Sequence, residues 1–243
     1  EILKILNISS YLFEEGYFSR EGVKNADIVG CPAKFLIPKV KKMYGLKNEP
    51  NFLPNIEEIP KKPPVKAKKP TICWVGRLDK RKRPELFIEL AKNHPEMTFM
   101  MVGVSNEPKR QAKLEKISST IPNLQMTSHL DKFKDNKKLY DVYNESWILI
   151  NTAAREGLPL TFTEAAGRGC AILSYVNPDD FASEFGYWAK EEDFEKGLKW
   201  LLEKDRWKKL GKKAHEYVHK QYRKEVAVKK HTELYERIMR NQK

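Results

Sequence analysis

Long apolar runs are absent from this sequence. Although 40% of its 243 residues are hydrophobic, no stretch approaches the ~20 consecutive apolar residues that a bilayer-crossing helix needs. A folded, soluble chain is therefore expected. Cysteine is scarce as well. Cys31, Cys73 and Cys170 are odd in number, far apart and free of any C-x-x-C spacing. That argues against a disulfide framework or a zinc site, and it fits a reducing cytoplasm. Cys73 and Cys170 sit in apolar, strand-like runs and read as small buried hydrophobes. No basic leader followed by an apolar segment marks a secretory signal. Residue 1 is Glu rather than Met, so the chain reads as processed or as a piece of something longer. No internal repeat is visible.

What the chain has in excess is positive charge. Its 46 Lys and Arg against 33 Asp and Glu give a formal net charge of +13, which favours anionic partners such as nucleotides, nucleic acid or acidic lipids. Residues 190–243 hold 17 Lys and Arg against 10 Asp and Glu, about half of the excess. No aromatic platform or recognition-helix pattern accompanies the lysines, so nucleic acid is not an expected partner. An anionic membrane surface is a permitted peripheral one, at about 1 kcal/mol per well-placed cation.

From residue 71 to 176 the pattern alternates. Apolar runs at 71–76, 98–103, 123–128, 147–151 and 171–176 read as strands, and 84–92, 109–119, 136–144 and 161–168 read as helices. Short apolar strands separated by helices imply a doubly wound, mainly parallel α/β sheet, Rossmann-like in layout. Beyond Tyr187 the reading is all helix: 193–203, 207–222 and 224–239. Val226, Val228, Leu234, Tyr235 and Ile238 are the expected packing face of the last helix. In the first 60 residues, 25–31 reads as a helix end running into a strand, 33–44 as a helix closed by Gly45, and 51–55 as extended. The Pro- and Lys-rich run at 59–70 reads as an exposed linker and the best domain boundary.

In a parallel α/β sheet, ligands bind beyond the carboxyl ends of the strands. Three segments fall there. Gly76-Arg77-Leu-Asp-Lys-Arg-Lys82-Arg-Pro84 runs from a strand into a helix start and gathers cations, which suits phosphate. Gly103-Val-Ser-Asn106 is a second strand-to-loop junction. The third is Arg155-Glu156-Gly157-Leu158-Pro159-Leu160-Thr161, with Glu164 following in the helix. Glu-Gly-Leu-Pro continues no regular element, because Gly is permissive and Pro fixes φ and removes a donor. Such a turn presents something.

These motifs resemble the C-terminal half of a retaining glycosyltransferase of family 4, with the GT-B fold. The family pattern is a Gly-Arg-x-x-x-x-Lys loop followed by E-G-x-P-x-x-x-x-E-A-x-x-x-G. It is matched by Gly76, Arg77 and Lys82, then by Glu156, Gly157, Pro159, Glu164, Ala165 and Gly169. The resemblance covers roughly residues 25–240 and implies three parts. Residues 1–60 end an N-terminal, acceptor-side domain and start the connection, 61–222 form a nucleotide-sugar-binding domain, and 223–243 form a C-terminal amphipathic helix.

The resemblance also implies roles. Arg77 and Lys82 hold the donor diphosphate in place of a metal, so no metal or other cofactor is expected. Glu156 faces the donor sugar, and Glu164 accepts from the ribose hydroxyls. Gly76 and the backbone from Gly157 through Leu158, Pro159 and Leu160 to Thr161 line the phosphate and sugar. The loop at Ser128, His129 and Leu130 brackets the base. Glu156, Arg77 and Lys82 are the candidate catalytic residues. The implied reaction moves a sugar from a UDP- or GDP-sugar to a glycan, lipid-linked sugar or small molecule. A GT-B epimerase of UDP-sugars and a basic nucleic-acid binder are the competing readings. None of the five His residues stands where the family's N-terminal domain has its own.

Overall fold

The computed structural model describes residues 5–8, 20–128 and 135–241. Two parallel sheets organise them. The first is small. Strand β1 (Ile5–Asn7) pairs with β2 (Ile28–Cys31), which follows the short helix α1 (Arg20–Lys24). Helix α2 (Leu36–Tyr44) ends at Gly45, whose φ of 63° a residue without Cβ adopts freely. Strand β3 (Asn51–Phe52) then pairs with β2. The helix begins three residues later than the sequence pattern suggested. Asp179, far along the chain, accepts from Lys34 N–H (2.8 Å) and Phe35 N–H (2.7 Å) and holds that turn outside the helix.

The second sheet carries the alternation read from the sequence. Its elements are β4 (Thr71–Val75), α3 (Pro84–Asn93), β5 (Thr98–Val102), α4 (Pro108–Ser118), β6 (Leu124–Thr127), α5 (Asn136–Glu145), β7 (Ile148–Asn151), α6 (Leu160–Ala166), β8 (Ala171–Ser174), α7 (Phe181–Phe185) and β9 (Gly186–Trp188). The order is β6-β5-β4-β7-β8-β9, and every pairing is parallel. This is the expected Rossmann-like, doubly wound sheet. Strand side chains alternate between two cores. Cys73, Leu149 and Ile172 face one with Phe162, Phe181 and Val218. Ile72, Trp74, Ile148, Ile150 and Leu173 face the other with Phe87, Phe99 and Leu198. Burial on both faces explains the nearly unbroken apolar strands.

Strand β9 is not foreshadowed by the pattern, because three residues carry no periodicity. Gly186 admits it: a Cβ there would collide with the Ile172 backbone on β8. Helices α8 (Phe194–Leu202), α9 (Arg206–Gln221) and α10 (Lys224–Asn241) complete the chain. Helix α10 returns to the small sheet. Leu234 packs on Ile28 and Leu53, flanked by Tyr235 and Ile238. Its packing face needs one correction. Val228 is 41% exposed and Ala227 is buried in its place, because Ala227 shares a helix face with Leu234 and Val228 does not.

The chain crosses between the sheets twice, side by side. Glu57 N–H donates to the Tyr222 carbonyl (2.9 Å), and Lys224 N–H donates to the Glu57 carbonyl (3.0 Å). The Pro- and Lys-rich run beyond Glu57 is pinned rather than loose. Trp147 Nε1–H donates to the Ala67 carbonyl (2.8 Å), Ala67 N–H donates to the Glu145 carbonyl (3.1 Å), and Lys66 Nζ donates to the Tyr143 carbonyl (2.9 Å). It passes under the entering ends of β4, β7 and β8, although Val65 is 95% exposed. All three cysteines are buried and unpaired. Among the described residues no helix is long and apolar enough to cross a membrane.

Candidate functional site

The strand order places the site. The chain runs from β4 outward to β5 and β6, then returns to the other side of β4 with β7. Connections therefore leave β4 and β7 in opposite directions, the arrangement beyond which open α/β sheets bind their ligands. Residues 76–83 leave β4 at this point, and residues 152–159 leave β7. These are the cation-bearing and acid-bearing segments of the sequence.

Each loop has a local reason for its path. Gly76 N–H donates to the Val102 carbonyl (3.0 Å), and Leu78 N–H donates to the Val104 carbonyl (3.0 Å), so the first loop lies against the end of β5. Gly103 permits that approach, since a Cβ there would meet the Gly76 carbonyl oxygen. Asp79 turns the loop by accepting from Lys82 N–H (3.0 Å). Helix α3 begins with Pro84, where a missing N–H costs nothing. In the second loop, the Asn151 side chain accepts from Ala153 N–H (2.9 Å), and α6 starts directly after Pro159.

The loops are bonded to each other. Thr152 lies buried between them: Trp74 Nε1–H donates to its hydroxyl (2.9 Å), and the hydroxyl donates to the Lys82 carbonyl (2.6 Å). Ala154 N–H donates to the Arg81 carbonyl (2.9 Å), and Arg83 Nε–H donates to the Thr152 carbonyl (2.6 Å). Above these bonds the Lys82 ammonium sits on the Glu156 carboxylate, their side chains only 19% and 14% exposed. Arg77 behaves differently. Its side chain is 58% exposed and pairs with Asp79 of its own loop at 2.9 Å.

The remaining expected residues divide. Gly157, Leu158 and Pro159 are buried beneath the turn, Thr161 is half-buried, and Leu160 is 44% exposed. Glu164 is buried one turn into α6, where its Oε2 accepts from the Tyr143 hydroxyl (2.9 Å). Burial first, then the charge of Glu164, pushes the Tyr143 phenol well above its ordinary value, so it stays a donor. Ser128 is bonded to Glu115 (2.7 Å) and to Gln111 (2.9 Å) on α4. His129 and Leu130 lie outside the described residues. A cavity of about 770 Å³ lies away from this rim, at the crossing, lined by Glu57, Pro60, Tyr140, Arg168 and Lys224 among others.

Sequence reasoning missed Thr152, Tyr143, Asp79 and Arg83. Thr152 carried a faint signal, as a polar residue just beyond an apolar strand. Tyr143 carried none, because it recurs at helical spacing with Leu139 and Val142 and reads as core.

Chemically, the rim sets two cations against two carboxylates, Lys82 with Glu156 and Arg77 with Asp79, next to a backbone turn that opens a helix. A model of the family described as glycosyl transferases group 1 matches residues 55–225. No curated protein matches the sequence. Several solved structures share the fold. Sucrose-phosphate synthase from Thermosynechococcus elongatus superposes with a TM-score of 0.78 at 17% identity, over 98% of this chain and 68% of that one. The pneumococcal O-GlcNAc transferase GtfA, solved with UDP and GlcNAc, gives 0.72 at 15% identity, over 92% of this chain and 47% of that one. Anabaena HepE, solved with UDP-glucose, gives 0.68 at 13% identity, over 96% and 71%. The chain spans about half the length of several such structures. With that match and that fold, the chain belongs to the glycosyl transferases group 1.

Proposed function

We propose that this chain is the donor-binding part of a retaining glycosyltransferase of family 4. It takes a UDP- or GDP-sugar, and the sugar passes to a glycan, a lipid-linked sugar or a small molecule. The observation that carries the reading is the Lys82–Glu156 contact across the switch point, which puts one loop's cation against the other loop's acid. Family membership and fold favour this over the epimerase and nucleic-acid readings.

In this reading the diphosphate takes Lys82 from Glu156 and draws Arg77 off Asp79. Both cations then face charge that grows as the glycosidic bond breaks, so they stabilise the transition state more than the ground state. They supply the positive charge that a metal would otherwise bring. Released from Lys82, Glu156 accepts from the sugar hydroxyls. Glu164, oriented by Tyr143, accepts from the ribose, since a carboxylate has two oxygens for a cis-diol. The amides around Leu158–Thr161 line the phosphate and sugar. The departing phosphate deprotonates the acceptor on the same face, which leaves no base to be found in this half.

The 243 residues alone then bind donor weakly and transfer nothing; measurable transfer would contradict this. Three buried, unpaired thiols suit a reducing cytoplasm, and the basic C-terminal helices suit an anionic membrane surface nearby. The test is calorimetry against UDP-, GDP- and ADP-sugars, with Arg77→Ala beside the parent chain. One nucleotide class should bind, and the substitution should weaken it at least tenfold. Equal affinity of parent and variant would refute the site.

A further inference from the structure

Arg83 follows the matched lysine and has no part in the reading so far. Its backbone is left-handed, with φ 50° and ψ 52° at the threshold of α3. Residues with a Cβ seldom adopt that conformation, and strain of this kind persists where surrounding bonds over-determine it. Here they do. The Arg83 guanidinium donates through Nε to the Thr152 carbonyl (2.6 Å), pairs through NH1 with Glu192, and lies 4.6 Å over the Tyr175 ring. Glu192 is itself left-handed, at φ 60°. Two loops thus hold unfavourable backbone conformations to bring one ion pair together. Arg83 NH2 is buried without a hydrogen-bond partner, a further unfavourable feature kept in the same place.

The neighbouring residue is what these bonds fix. Lys82 has its carbonyl held by the Thr152 hydroxyl and its amide held by Asp79, while Arg83 holds the Thr152 carbonyl in return. The two loops are therefore stapled by a reciprocal pair of bonds at the backbone of Lys82 and Thr152. We propose that Arg83 and Thr152 are positioning residues that set the gap between Lys82 and the acid-bearing loop, and so tune this rim to the diphosphate of the donor. This rests on the donor-site reading. Arg83 touches no donor; it acts through Lys82. A rim clamped in this way discriminates by charge spacing, so the clamp bears on the diphosphate alone and leaves the nucleoside unaffected.

Three substitutions separate this role from general damage. Arg83→Gly removes the guanidinium but suits the left-handed backbone. Thr152→Val keeps the shape and deletes the hydroxyl, and Thr152→Ser restores it. The readout is calorimetric affinity for UDP and GDP against uridine and guanosine, with urea unfolding as the check on folding. In Arg83→Gly and Thr152→Val, diphosphate affinity should fall at least tenfold with nucleoside affinity unchanged, and Thr152→Ser should stay within about threefold of the parent. Parent-like diphosphate affinity in both variants would overturn the clamp. So would a parallel loss of nucleoside and diphosphate affinity, which marks collapse of the site. A parent chain that binds neither diphosphate would overturn the donor reading itself, a result distinct from the other two.

Discussion

The two edges of the large sheet are held together by different chemistry. At the leaving edge, where β4 and β7 end, bonds to the Lys82 and Thr152 carbonyls are joined by charged pairs: Lys82 with Glu156, Arg83 with Glu192, Arg77 with Asp79. At the entering edge, the pinned run and the crossing are held by bonds to backbone carbonyls. His215 is bonded to the Pro60 carbonyl (2.9 Å), Arg168 to that of Glu58 (3.2 Å), Trp147 to that of Ala67 (2.8 Å) and Lys66 to that of Tyr143 (2.9 Å). Carbonyl acceptors bring no ligand and tie the sheet to its connection. Ion pairs at a rim can be exchanged for a ligand of matching charge. On the proposed function, that difference separates a brace from a rim able to exchange its partners.

The comparison breaks most visibly at Lys82. Lys82→Ala should weaken nucleoside diphosphate binding by about two orders of magnitude, because a half-buried, hydrogen-bonded cation is lost. Its effect on a nucleoside should be small. Arg77→Ala should cut diphosphate affinity too, yet leave unfolding free energy within about 0.5 kcal/mol of the parent, since an exposed pair adds little to stability. Calorimetry and urea titration of both variants measure this contrast. Loss of stability with parent-like diphosphate affinity would mean that the rim is another brace.

A smaller effect sharpens the other edge. Burial holds the His215 imidazole below its ordinary 6.5, outweighing its bond to Pro60. The unfolded chain therefore takes up the proton first as pH falls. The contribution of neutral His215 is complete above pH 6.5 and is lost as pH drops from there through the lower folded value. Urea midpoints at pH 7.5 and 5.5 should show this loss, and His215→Gln should reduce it. His215→Gln should leave diphosphate affinity at pH 7.5 unchanged.

How much of this was legible in the sequence depended on the length of each signal. Five-residue apolar strands such as 71–75 and 98–102 announced themselves, because both faces are buried and no polar residue interrupts them. The three residues of β9 had no room for a pattern and needed Gly186 against Ile172 to exist. The composite of Gly76, Arg77, Lys82, Glu156 and Glu164 pointed to the ends of β4 and β7, where Lys82 and Glu156 meet. It did not show that Lys82 and Arg77 part company, one bonded to the other loop and the other folded on its own. Nor did it show Thr152 or Arg83, whose roles arise only when residues about 70 apart are brought together. The linker reading at 59–70 rested on composition and missed the tryptophan and lysine bonds that pin it.

The most direct measurement concerns Glu156, which meets Lys82 and, on the proposed function, turns to the sugar once donor binds. Glu156→Gln should be titrated with a nucleoside diphosphate and with its sugar derivative. The expected result is diphosphate affinity equal to or tighter than that of the parent, because the competing carboxylate is gone, together with loss of whatever affinity the sugar adds. Equal losses for both ligands, or no change for either, would contradict a rim in which cations and acids divide the diphosphate and the sugar between them.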